Sequence, residues 1–224
     1  MKKVILFIAV CLLMGTTSSY AQLTKEQKKE REELRKSSKS QLNEKATKAA
    51  RKEAKNMQKE GWQTAPGALP IEKQLDKSYL MQMEYNADMY PKYIMGEGMS
   101  IGGNYDGAKM QALELAKQNL AGQIQTEVTA LVENTVANAQ LSGEEAESVT
   151  RSVLASKNLI SQSLGRTIPV VEVYRTLPNK NKEVLVRIAY SGDLAKKVAK
   201  EAVRKDLERR GDELHNKLDE LLGW

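Results

Sequence analysis

Between Met110 and Val132, apolar residues return every three or four positions: Met110, Leu113, Ala116, Leu120, Ile124, Val128, Leu131 and Val132. That spacing predicts one long helix with a single inward stripe, capped by Asn104 or Asp106. Ser142-Gly143-Glu144-Glu145 has capping-box form, a hydroxyl three residues before a carboxylate. The helix it starts carries Val149, Val153, Leu154 and Ile160 inward, with Gly165 just past its end. The period then drops to two. Thr167 to Leu177 and Glu183 to Tyr190 are β-branched-rich strands, and Pro178-Asn179-Lys180-Asn181-Lys182 joins them as a hairpin. Val184, Val186, Ile188 and Tyr190 share one face of the second strand. Gly192-Asp193 opens a last helix with Leu194, Val198, Leu207, Leu214, Leu218 and Leu221.

Upstream, Lys92 to Ile101 reads as a strand containing Gly96 and Gly98, followed by Gly102 and Gly103. Ile71 to Asn86 reads as a helix with Leu75, Tyr79, Leu80 and Met83 on one side. The Pro/Gly-rich stretch from Gly61 to Pro70 forbids regular structure and is anchored by Trp62 and Leu69. Leu23 to Glu60 holds no Gly or Pro and is dominated by helix-forming charged residues and Ala. Its apolar positions are sparse, so Lys25 to Lys39 is expected as a solvated helix. Gln41 to Glu60 is expected as a helix docking one small-residue face. The sum is an α+β chain: a small three-stranded sheet packed by long helices in the order β-α-α-β-β-α, behind an N-terminal charged helical arm. The divisions are a leader (1–21), arm (22–60), connector with short helix (61–91), core (92–193) and C-terminal helix (194–224).

Charge and the N-terminus narrow the function. Met1-Lys2-Lys3 is basic, Val4 to Met14 is almost wholly apolar, and Ser19-Tyr20-Ala21 has small-x-small form. This is the anatomy of a secretory signal cut after Ala21, and it is too short for a stable membrane span. It places the mature chain in the periplasm or at the outer membrane, with no transmembrane span of its own. The full chain carries a net charge of +6. From Lys25 to Lys59 there are 13 Lys and Arg against six acids, so the positive field concentrates in the arm. Outside the cytoplasm, nucleic acid is not the expected partner, and the available polyanions are lipopolysaccharide and cell-wall polymers. Cys11, the single cysteine, lies inside the leader and is read as part of it rather than as a lipidation site.

Candidate chemistry is sparse. Gly96-Glu97-Gly98-Met99-Ser100-Ile101-Gly102-Gly103 sits where a phosphate loop would, but Ile101 occupies a position where the dinucleotide pattern needs Gly, and no Lys-Ser/Thr follows. A bulged strand end turning into the helix is the expectation. His215 alone cannot build a zinc site or a triad. Glu144/Glu145 and Asp219/Glu220 are sequence neighbours that diverge on a helix. No catalytic, cofactor-binding or metal-binding residue, and no cofactor, is therefore expected. Met and Tyr concentrate between Tyr79 and Met110, where packing is expected to use them. Trp224 follows a helical pattern, so it is not read as a barrel terminus.

The run from Tyr93 to Val128, in which a Gly-x-Gly strand leads into a helix carrying Ala112, Ala116, Leu120, Ala121 and Ile124, resembles the core of the LPP-twenty lipoprotein family. The later VVEVY and VLVRIAY strands suit that family's closing hairpin, and a similar unit opens the flagellar assembly protein T. The resemblance spans about Tyr90 to Asp193. It implies a small envelope domain without catalytic residues. The chain departs from the family around Cys11, where no lipobox stands, so a lipid anchor is not carried over. The expected function is that of an exported, non-enzymatic cell-envelope protein acting as an interaction or assembly module with an envelope protein partner. The alternative is binding of an anionic envelope polymer through the basic arm.

Overall fold

The computed structural model describes residues 25–26, 28–29, 31–33, 36, 43–87, 89–137, 142–216 and 218. The leader, Cys11, the Asp219/Glu220 pair, Leu221 and Trp224 lie outside them. The chain divides into two compact units, Met1–Lys45 and Ala46–Trp224. In the first, the described residues of the Lys25 to Lys39 stretch are helical and exposed.

The second unit is α+β. Its elements run α1 (Lys48–Lys59), β1 (Gln63–Thr64), α2 (Ile71–Gln82), β2 (Tyr93–Gly102), α3 (Tyr105–Ala137), α4 (Gly143–Ala155), α5 (Lys157–Ser163), β3 (Ile168–Thr176), β4 (Lys182–Ser191) and α6 (Gly192–Arg210), then a 3-10 turn, Glu213–Asn216. The strands form one antiparallel sheet in the order β1-β3-β4-β2. The sheet has four strands rather than three. The extra one is the two-residue β1 inside the Pro/Gly stretch, where Gln63 and Thr64 pair with Tyr174 and Val173. Two residues show no periodicity, so only the pairing reveals them.

Helices cover both faces. On one, Val184, Val186, Ile188 and Tyr190 meet the inward stripe of α3, from Ala108 through Leu120 to Val132, and residues of α4, α5 and α6. On the other, Ala50 and Ala54 of α1 and Ile71 and Leu75 of α2 pack with Trp62 on Val171 and Val173. Helix α1 starts later than its charged sequence implies because Thr47 caps it: its Oγ1 accepts the Ala50 amide, and its own N–H donates to Asp76 at 2.9 Å. Asn104, not Asp106, caps α3, with Oδ1 accepting the Gly107 amide at 2.8 Å. The Ser142–Glu145 capping box is formed.

Glycine decides how closely α3 approaches the sheet. A Cβ on Gly96 would lie 2.3 Å from the Ala116 carbonyl, and one on Gly98 would lie 2.2 Å from the Ala112 carbonyl. Strand β2 does not bulge there, since its register with β4 runs unbroken from Tyr93↔Ser191 to Gly102↔Lys182. The glycines serve close approach rather than a kink. Gly102 faces Ala108 and Gly96 faces Leu120, so strand and helix run antiparallel. Six strand residues and twelve helix residues both span about 18–20 Å, which keeps the match in step.

Several expected inward residues point out. Leu80, Met83, Met110, Leu154 and Leu194 are all exposed. Met81, Ala112, Val153 and Ala195, one or two positions away in sequence, are buried instead. Helix α4 also stops early. Ser156 turns its Oγ onto the Val153 carbonyl at 2.7 Å, and Ile160 is buried from the separate α5. Gly211, in the left-handed conformation (φ 70°), ends α6 before Leu214.

Candidate interaction surface

The sheet's two edges are finished differently. At the β3 edge, β1 supplies two residues of pairing, and beyond it the Glu172 amide donates to Gln74 Oε1 at 2.6 Å. Gln74 is itself buried and donates from Nε2 to the Leu69 carbonyl at 2.7 Å. A connector and a helix thus cover that edge from Glu172 to Tyr174.

Strand β2 forms the opposite edge and, among the described residues, pairs with β4 alone. Gly192 donates its amide to the Lys92 carbonyl at 2.9 Å, which sets the phase of the ladder. Even-numbered residues of β2 turn their backbone groups to β4, and Tyr93, Met95, Glu97, Met99 and Ile101 turn theirs outward. At Glu97 the outward carbonyl accepts from Asn119 Nδ2 at 2.6 Å.

The same odd positions carry side chains on the face away from α3. There, Arg187 ties β2 to helix α2. Its guanidinium meets Glu97 Oε2 at 2.6 Å and donates to Ser78 of α2 at 3.0 Å. Past that pair, Met99 and Ile101 are each 51% exposed. They line a shallow depression with Ser100, Gln111, Leu115 and Glu183. Its polar members are already engaged: Ser100 donates to Gln111 Oε1 at 2.6 Å, and Glu183 pairs with Arg175. Leu115 is also exposed. The depression therefore offers methionine, isoleucine and leucine beside outward backbone groups.

Packing uses only part of the Met/Tyr-rich segment. Met81 is buried with Tyr93 and Met95 packed alongside, and Tyr79 and Tyr105 are half-buried. Met83, Tyr85, Met89, Met99 and Met110 are exposed. Packing accounts for the first group only.

The polar groups elsewhere serve the fold. Tyr79 donates to Glu53, tying α2 to α1, and burial together with that bond pushes its phenol up to about 12. Tyr105 donates to Glu172, which also accepts from Lys109 Nζ at 2.8 Å, and burial raises the Tyr105 phenol. Ser148 donates to Asp212, whose carboxyl that bond and the Leu214 amide hold below the usual range. His215 turns a ring nitrogen to the Asp212 carbonyl at 2.6 Å. Among the described residues, no three His, Cys, Asp or Glu gather to hold a metal, and no helix is long and apolar enough to cross a membrane.

Compared with protein families, curated proteins and solved structures, the chain matches none.

Proposed function

We propose that the chain is an exported, non-enzymatic cell-envelope protein that works as an interaction or assembly module. Its partner is an envelope protein that lends an extended segment as a fifth strand beside β2. The observation that carries this reading is the finish of the β2 edge: outward amides and carbonyls, with Met99 and Ile101 half exposed beside them. Strand addition draws affinity from main-chain hydrogen bonds and specificity from alternate side chains, and this edge offers both. The resemblance to the LPP-twenty family and the secretory leader are consistent with an envelope location.

The test is capture from an envelope fraction with the mature chain as bait, in wild type and in the double variant Met99→Lys/Ile101→Lys. A charged edge opposes strand pairing, and both side chains are exposed, so the fold should survive. A partner held by wild type and lost by the variant supports the reading. A partner held equally by both rejects this edge, and a two-fold mass increase of the bait alone identifies a second copy as the occupant.

A further inference from the structure

Helix α1 carries Lys48, Arg51, Lys52, Lys55 and Lys59 against one acid, Glu53, whose carboxylate is engaged by the Tyr79 hydroxyl. All five cations are exposed, and none forms an ion pair among the described residues. At 100° per residue, Lys48, Lys52, Lys55 and Lys59 fall within one arc of about 60° that points away from Ala50 and Ala54, the side chains that dock α1 on the sheet. Docking therefore fixes the outward direction of the lysines. The four stand in single file over twelve residues, roughly 16 Å along the axis.

From this stripe we infer a binding site for a linear polyanion on α1. Charge complementarity selects an anion, because unpaired like charges at i,i+4 and i,i+3 repel one another until counter-charge is supplied. The arrangement selects a linear polymer over a bilayer. An interfacial helix lays its apolar face in the membrane, but α1 has spent its small apolar stripe on the sheet, and its one large apolar residue, Met57, is partly buried against the same cluster. The site belongs to the folded unit rather than to the charged residues before Lys45. It is independent of strand addition at β2.

The test titrates the mature chain with a short, labelled inorganic polyphosphate and, separately, with vesicles of phosphatidylglycerol in phosphatidylcholine. Two variants remove the same charge: Lys48→Gln/Lys52→Gln/Lys55→Gln/Lys59→Gln on α1, and Lys25→Gln/Lys28→Gln/Lys29→Gln/Lys36→Gln before it. For four phosphate contacts, the logarithm of wild-type affinity should fall with the logarithm of salt with a slope of about 3. The α1 variant should bind at least about tenfold more weakly at low salt and lose most of that slope, while the charge-matched control stays within about twofold. Equal losses in both variants would show that net charge alone acts and overturn the site. So would unchanged binding in the α1 variant, or a preference for vesicles over polyphosphate. Thermal melting of each variant confirms that the fold is retained, because all eight side chains are exposed.

Discussion

Asn119 on α3 reaches over the sheet edge and donates to the backbone carbonyl of Glu97, 2.6 Å away. The bond covers one outward acceptor in the middle of β2 and leaves its flanks open. If Asn119 is a partial cover, Asn119→Ala should change stability by less than about 1 kcal/mol, since the carbonyl can turn to water. The variant should then bind the β2 partner as tightly as wild type or more so. Titration against the captured partner checks this, and weaker binding would place Asn119 in contact with the partner instead.

Gly96 and Gly98 should not tolerate even one added methyl. A Cβ at either position would stand 2.2–2.3 Å from a helix carbonyl, and backbone cannot yield as a flexible side chain does. Gly96→Ala or Gly98→Ala should each destabilise by about 2–3 kcal/mol or more. Gly103→Ala, whose Cβ would meet nothing within 4 Å, should stay within about 1 kcal/mol. Urea denaturation of the three variants decides it. Equal stability at all three positions would refute the close approach.

The Tyr79 phenol, pushed up to about 12 by burial and its bond to Glu53, links stability to alkaline pH. Its folded pKa lies above the ordinary 10.0, so the native state holds the proton more tightly than the unfolded chain. The stabilisation is complete below pH 10 and is lost as pH rises toward 12. The stability difference between wild type and Tyr79→Phe should therefore shrink across that window. Paired denaturation curves at pH 9 and pH 11.5 measure it, and a constant difference would contradict the linkage.

The proposed export is tested at the mature N-terminus. Mass spectrometry of the protein from its native host should find Gln22 first, free or cyclised. An acylated Cys11 would contradict cleavage after Ala21.

Much of the fold was legible because it rests on strict periods. Val184, Val186, Ile188 and Tyr190 alternate and all face the core, and Ala116, Leu120, Ile124, Val128 and Val132 hold the α3 stripe. The errors share a cause. Apolarity marks a stripe's width but not its centre, so the pattern points Met110, Leu80, Leu154 and Leu194 inward where a smaller or adjacent residue is buried. On α3 the centre belongs to Ala108, Ala112 and Ala116 because the opposing residues are glycines, a pairing that only the packed structure reveals. A glycine permitting close approach and one permitting a bulge are identical in sequence. The candidate surface was less legible still. The concentration of Met and Tyr stood out, but strand order decides which strand is an edge, and no local pattern in β2 encodes it.

The central claim is that β2 presents its odd-numbered backbone groups to a partner strand. Proline substitution tests this directly, because it removes one N–H from the ladder. Ile101→Pro deletes an outward amide, whereas Ser100→Pro deletes one bonded to β4 across from Val184. The account predicts that Ile101→Pro folds with near wild-type stability and no longer captures the partner, while Ser100→Pro is destabilised by about 3 kcal/mol or more. If Ile101→Pro folds and captures the partner as wild type does, the β2 edge is not the interaction surface.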